Sequence, residues 1–342
     1  MSQDNNISRI KGKKKKRKKR VFKWFLFPLL ILTLSATVYG TFLYKKAESV
    51  ANGSYQPVKA ESQREVDPKI DNISILLIGV DESKIRKFGK GSRTDALMVA
   101  TLNEKEKSVK LVSIPRDSYV KIPGRKNKDK INHAHAFGGT ELTIETVQNL
   151  LDIPVDYYVK MNFNAFIDVI DALDGIKVEV PYELYEQDSK DRADAIHLQA
   201  GLQELNGEEA LALARTRHYD NDIERGKRQQ EIVKSVLRRA VSVHSLTKQS
   251  DVMEAIGKNM TTDLAFGEMK SLITYVTAGT NLNIESLPLE GSDAMINSVY
   301  YYQLDESALV NVTQQLKNHL ALDTTSNNDS SSTSNSPSTQ NN

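Results

Sequence analysis

The chain has 342 residues, 39% of them hydrophobic and 26% charged, a composition that excludes a polytopic membrane protein and a wholly disordered one. The absence of cysteine excludes a disulfide scaffold, a thiolate zinc site and a cysteine nucleophile. The formal net charge of +2 hides a segregation: residues 1–23 hold eleven Lys/Arg and one acid, Asp4, which leaves 35 basic against 43 acidic residues in the remainder. That acidic body is no general nucleic-acid binder, and any anion it holds must be held locally.

From Lys11 to Arg20 every residue but Gly12 is basic, and Trp24 to Tyr44 is a run of 21 residues without a charge. At about 1.5 Å per residue the run reaches roughly 30 Å, the thickness of the hydrocarbon core. It exceeds the about 7–15 apolar residues of a signal peptide, and no small-x-small site precedes Lys45 and Lys46. The sequence therefore predicts a cytoplasmic basic tail over 1–23, an uncleaved transmembrane helix over 24–44, and everything later outside the cell membrane, by the positive-inside rule. Residues 45–70 are polar and unpatterned and read as a stalk. Residues 323–342 are almost entirely Ser, Thr and Asn and read as a disordered tail. Residues 71–322 between them make one large domain.

Within that domain Ile73 to Val80 is a continuous apolar run bounded by turn formers, the pattern of a buried strand. Asp95 to Leu102 and Val109 to Ile114 are strand candidates joined by a charged turn at 103–108. Val155 to Lys160 and Ile176 to Val180 are further strands, flanking a helix from Phe163 to Leu173 that Gly175 ends. Asn206 with Glu209 has the spacing of a capping box opening a helix over 208–217. A long amphipathic helix follows near Arg225, with Ile232, Val236 and Leu237 on one face and Val233 and Ala240 beside them. Strands interleaved with helices give an α/β fold, a three-layer α/β/α sandwich around one central sheet whose strand order the sequence does not reveal.

Charge collects at the ends of these elements. Asp81 follows the first strand and Asp95 opens the second; two carboxylates at strand ends suit a hard cation such as magnesium, which takes one or two carboxylates and completes its shell with water and phosphate oxygens. Either aspartate alone also reads as a turn residue. Arg93 stands two residues before Asp95, and Arg116 leaves the third strand behind Pro115. Arg215 and Arg217 cannot share a face of a regular helix, so that helix is ending there, whereas Arg225 and Gln229 lie four apart and do share one. Arg228 lies beside them. Singly, each arginine reads as a solvated surface charge. Together, in an acidic domain, they point to a doubly charged ligand such as phosphate, which the guanidinium fork grips in pairs of charge-assisted hydrogen bonds. Lys130, Asn132 and His133 follow a basic loop and precede a helix; His133 and His135, two apart, are poorly spaced for a shared metal and read as solvated or capping. No P-loop, G-x-G-x-x-G or Ser-His-Asp spacing is present.

Gly-Val-Asp (79–81), Arg-Thr-Asp-Ala-Leu-Met (93–98), Ser-Ile-Pro-Arg-Asp (113–117), Lys-Ile-Asn-His-Ala (130–134), Leu-Asn-Gly-Glu-Glu-Ala-Leu (205–211), Ala-Arg-Thr-Arg (214–217) and Arg-Gly-Lys-Arg-Gln-Gln (225–230) occur in this order. Over residues 71–245 the chain resembles the LytR-CpsA-Psr family. The resemblance implies a single-pass, extracytoplasmic enzyme of Gram-positive envelopes with a mixed sheet. It would transfer an anionic glycopolymer, wall teichoic acid or capsule, from an undecaprenyl diphosphate carrier to a peptidoglycan sugar hydroxyl. By the same resemblance Asp81 and Asp95 hold Mg2+ (or Mn2+), while Arg93, Arg116, Lys130, Arg215, Arg217, Arg225 and Gln229 cradle the pyrophosphate; Arg116, Asp95 and Arg217 are the catalytic set. An apolar slot for the polyprenyl tail would lie between the sheet and the helices after 133 and 163. A nearby carboxylate, Asp117 or Asp95, would serve as base. Two other readings stay open: a hydrolase of polyprenyl pyrophosphate at the same site, and a lipid-binding envelope regulator without turnover. Residues 246–322 carry no motif.

Overall fold

The computed structural model describes residues 41–42, 44–46, 48–49, 51–58, 64–80, 92–217, 222–240, 260–277 and 283–322. Asp81, most of the expected transmembrane segment and the Ser/Thr/Asn tail lie outside these residues. Among the described residues no helix is long and apolar enough to cross a membrane. The chain divides into two units, residues 1–49 and 50–342; in the first, the described residues are helical, and the second holds the sheet.

The centre is a six-stranded mixed sheet in the order β11-β6-β1-β2-β3-β12, built from β1 (Ile73–Val80), β2 (Thr94–Asn103), β3 (Ser108–Ser113), β6 (Tyr157–Asn162), β11 (Met260–Thr262) and β12 (Asn283–Leu287). β1 runs antiparallel to β2 with Val80 opposite Thr94, and β2 antiparallel to β3 with Met98 opposite Ser113. β6 is parallel to β1, ending with Asn162 beside Val80. One edge of the sheet thus gathers the exit of β1, the entry to β2, the exit of β3 and the exit of β6.

Both faces of this sheet are buried, as the continuous apolar runs require. On one face Leu76, Ile78, Leu97, Val99 and Val112 pack against Ile144, Val147 and Leu151 of helix α1 (His133–Leu151). The same cluster takes Val312 and Leu316 of the last helix, Glu306–Leu320. On the other face Ile73, Ile75, Ala100, Val109 and Leu111 meet Val233, Met269 and Leu272, which come from the helices Asp222–Ala240 and Phe266–Thr277. The three-layer expectation is met.

A third core joins α2 (Phe163–Ala172) to the antiparallel pair β7 (Ile176–Val180) and β10 (Gly201–Leu205), the short pair β8 (Leu184–Glu186) and β9 (Ile196–Leu198) between them in the chain, and α3 (Gly207–Arg215). The helix that follows, α4 (Asp222–Ala240), gives Ile232 and Val236 to this third core and Val233 to the sheet, so it fastens one to the other. The expected face therefore divides between two cores, and Ala240 is exposed. Gly226 makes the approach possible, since a Cβ there would stand 2.9 Å from Ser113 Oγ at the end of β3.

The described residues of the domain also include α5 (Phe266–Thr277), the hairpin β13 (Gly291–Ile296) and β14 (Val299–Leu304), and α6 (Glu306–Leu320). Part of the expected stalk belongs to the folded domain instead: Tyr55 bridges Thr262, and Arg64 pairs with the buried Asp156 at 2.7 Å. Asp156 in turn accepts from the backbone and hydroxyl of Ser74, a nonlocal tie that hydropathy alone does not disclose.

Candidate active site

The edge where β1, β2, β3 and β6 meet opens into a cavity of about 640 Å3 whose walls include Arg93, Asp95, Arg116, Asp117, Lys130, Asn132, His133, Arg217, Val299 and Tyr300. Each enters for a local reason. Arg93 immediately precedes β2 and is exposed, and Ser92 before it is fixed by His135, whose Nδ1 lies 2.8 Å from the Ser92 carbonyl. His135 is thus 8% exposed and neither solvated nor capping, contrary to expectation. Pro115 ends β3, and Ser118 closes a turn by donating to the Pro115 carbonyl through its N–H and its hydroxyl. That turn delivers Arg116 and Asp117.

The charges are interlocked. Arg116 Nη1 donates to Asp95 Oδ1 at 2.9 Å, and Arg116 Nε lies 3.5 Å from Asp117 Oδ2. Lys130, at the end of β5 (Lys128–Lys130), places Nζ 2.8 Å from Asp117 Oδ1. Asp117 is buried and spans two cations; the Asp95 side chain is 37% exposed and is the more open carboxylate of the cavity. Four cationic side chains therefore face two carboxylates, an excess of positive charge suited to a dianionic group. His133 faces Asp129 at 2.9 Å. Burial opposes ionisation of Asp129, but hydrogen bonds from His133 and the Lys130 N–H, with the charges of His133 and Arg125, outweigh it and hold that carboxyl below its ordinary value.

The second arginine group is assembled from behind. The capping box forms: Asn206 accepts from the Glu209 N–H, and the Glu209 side chain accepts from the Asn206 N–H. The helix ends at Arg215, and Thr216 turns extended (ψ 143°), which sends Arg217 to the cavity. Arg215 stacks on Phe163, 4.8 Å from the ring centre, and lies 4.0 Å from Asp191, beside the cavity rather than in its wall. Its Nη1 is a buried donor without a partner among the described residues. Arg225 is 5% exposed and not in the wall. Gln229 donates to the Ala214 carbonyl at 3.2 Å. Arg228 is buried and donates to the carbonyls of Leu213 and Thr216.

Of the residues expected in the cradle, the cavity gathers Arg93, Arg116, Lys130 and Arg217 about Asp95; Arg215, Arg225 and Gln229 are not in its wall, Arg225 being buried in α4 and Gln229 bonded to the end of α3, and Asp81 lies outside the described residues, directly after Val80. Asp95, whose Oδ1 accepts from Arg116, leaves its other oxygen as the one a divalent cation would use; among the described residues no cluster of three or more metal-binding side chains exists, so such a cation would depend on water and substrate oxygens for the rest of its shell. Sequence reasoning missed Val299 and Tyr300, which reach the wall because β14 docks beside the Arg116 turn: the Tyr302 N–H donates to the Asp117 carbonyl at 2.9 Å. The only signal was the three-tyrosine run at 300–302.

The family model named LytR_cpsA_psr matches residues 41–318. This chain belongs to that family. The polyisoprenyl-teichoic acid–peptidoglycan teichoic acid transferase TagT of Bacillus subtilis (strain 168) is 35% identical over 322 residues, covering 91% of this chain and 99% of TagT. The structure of TagT bound to LIIa-WTA is similar to this chain with a TM-score of 0.65 and 40% identity, over 75% of this chain and 94% of that one. TagT with bound octaprenyl pyrophosphate lipid is similar with a TM-score of 0.61 and 38% identity, over the same shares. The α/β fold with a mixed central sheet is thus that of the family, as the ordered motifs imply.

Proposed function

We propose that this protein is a membrane-anchored, extracytoplasmic transferase of a Gram-positive envelope. It moves an anionic glycopolymer of the teichoic acid or capsule type from an undecaprenyl diphosphate carrier to a peptidoglycan sugar hydroxyl. The observation that carries this reading is the convergence of Arg93, Arg116, Lys130 and Arg217 around Asp95 and Asp117 in one open cavity. The transferase name of the relative TagT supports the reaction class, and the pyrophosphate lipid bound to TagT supports the head group. The basic tail and the uncharged run at 24–44 support the anchor and its orientation.

Phosphoryl transfer needs positioning and charge neutralisation more than a covalent partner. The cavity cations hold the donor diphosphate while Asp117 keeps Lys130 and Arg116 at fixed separation. A sugar C6 hydroxyl, entering by the open mouth, attacks the phosphorus that carries the polymer. The bond to the bridging oxygen breaks, polyprenyl phosphate leaves, and one proton is released for each phosphodiester made. Mg2+, or Mn2+ in its place, would be held by Asp95 with Asp81, where it supplies Lewis-acid neutralisation of phosphate oxygens.

The test is a reconstituted transfer with the full-length protein in detergent, a synthetic polyprenyl-diphosphate donor and a glycan acceptor. Arg116→Ala and Arg217→Ala each lower transfer at least tenfold, or about 1.4 kcal/mol of transition-state stabilisation. Full transfer by either variant overturns the cradle, and polyprenyl phosphate released without an acceptor product makes the protein a hydrolase.

A further inference from the structure

Lys130 is the inner end of a longer basic feature. β4 (Tyr119–Lys121) and β5 pair antiparallel, Tyr119 opposite Lys130 and Lys121 opposite Lys128. Side chains alternate across a strand, so Tyr119, Lys121, Lys128 and Lys130 share one face of this hairpin, and Val120 and Asp129 take the other. The hairpin is firmly seated, since Val120, Ile122 and Ile131 are buried in the main core. Its tip is a tight turn: Pro123 and Gly124 (φ +72°) occupy the central positions, and the Arg125 N–H donates to the Ile122 carbonyl, the type II pattern. Lys121 Nζ donates to the carbonyls of Arg125 and Lys126. Arg125 lies over Phe137, 4.1 Å from the ring centre, and Lys128 stands 5.9 Å from that of Tyr119.

The charges on this face are set against the usual rules of stability. Like charges directly opposite on an antiparallel pair are destabilising, yet Lys121 faces Lys128. Elsewhere on the domain lysines sit beside acids, as in Lys107 with Glu104, Lys110 with Glu285 and Lys317 with Asp152. Among the described residues no carboxylate forms an ion pair with Lys121, Arg125, Lys126 or Lys128, and Asp129 is turned to His133. An acidic body thus carries a line of cations that starts at Lys130, paired with Asp117 in the cavity wall, and runs outward along the hairpin through Lys128 and Lys121 to Arg125 and Lys126, which make no ion pair among the described residues.

We propose that this line is a subsite for the donor's polymer: a chain of repeating phosphodiesters, leaving the cavity by its mouth, lies along Lys128, Lys121 and the tip residues Arg125 and Lys126. The inference rests on the transferase reading above and extends it from the diphosphate to the polymer. Continuity with the cavity through Lys130 favours a substrate chain over a membrane surface, and rows of partly ordered cations give such a chain registry and a faster encounter.

The test uses the full-length protein in detergent and the triple variant Arg125→Gln, Lys126→Gln, Lys128→Gln, whose side chains are exposed and outside the catalytic cavity. Two synthetic donors share the polyprenyl diphosphate and its first sugars; one bears a phosphate-repeat chain and the other ends at the sugars. The variant lowers kcat/KM for the chain-bearing donor about fivefold or more and leaves the short donor unchanged, and added salt weakens only the wild-type preference for the long donor. Equal loss on both donors, or none on the long one, overturns the proposal. If the wild type turns over neither donor, the transferase reading fails, and binding of the lipid-free, fluorescently labelled phosphate-repeat polymer decides the subsite: the variant binds it about fivefold more weakly, and equal binding overturns the subsite as well. A variant that loses binding to anionic vesicles but keeps the polymer assigns the line to the membrane, which also overturns the proposal.

Discussion

Arg228 carries its guanidinium inward, to the carbonyls of Leu213 and Thr216 at 3.1 and 2.7 Å, where α3 has run out of backbone donors. It therefore sets the turn from which Arg217 reaches the cavity. Arg228→Ala leaves those buried carbonyls unmet and costs about 2–3 kcal/mol, measured by urea unfolding; Arg228→Lys does not restore it, because an ammonium lacks the planar fork. Unchanged stability in the Ala variant would show that water replaces the side chain. In the sequence Arg228 and Gln229 look like Arg225: a basic or polar residue on a polar helix. Nothing in their spacing tells that their partners are main-chain oxygens of another helix, whereas Arg116, behind a proline that must end a strand, is legible at once.

Elements whose logic is local were legible. Ile176 to Val180 is a strand with the expected bounds, and Asn206 with Glu209 caps the helix that presents Arg215 and Arg217. Elements defined by distant pairing were not. β11 and β12 are three and five residues long, at the two edges of the sheet, and α6 is held by a buried histidine: His319 Nδ1 lies 2.8 Å from Thr101 Oγ1 and Nε2 2.8 Å from Ser108 Oγ. Burial, then the nearby Lys110 charge, push His319 down to about 4, against the opposing pull of Glu106 and Glu285. The folded state thus refuses a proton that the unfolded chain accepts below pH of about 6.5. The stability that His319 gives is complete above that pH and is lost as pH falls toward 4, a loss of about 3 kcal/mol. Urea unfolding at several pH values should show this slope in the wild type and a shallower one in His319→Gln; identical slopes would place the acid sensitivity elsewhere.

At the scale of the whole molecule, the mixed sheet is what converts scattered motifs into a site. Antiparallel β1, β2 and β3 bring residues 80, 94 and 113 to one edge, parallel β6 adds the start of α2, and α4 clamps the small third core against the end of β3. The sequence shows which residues flank strands but not which strands are neighbours, so Arg93, Asp95, Arg116, Lys130 and Arg217 are legible as residues of the wall, whereas Val299 and Tyr300 are not, and Arg215, Arg225 and Gln229 cannot be told apart from wall residues. Whether the gathered cations clasp a diphosphate, as proposed, is decided by calorimetric titration of a short-chain polyprenyl diphosphate and its monophosphate into the full-length protein in detergent. Binding of the diphosphate at least about tenfold tighter than the monophosphate, reduced about tenfold or more by Arg116→Ala and by Arg217→Ala, is the predicted result. Equal affinity for the two lipids, or unchanged affinity in both variants, would contradict it.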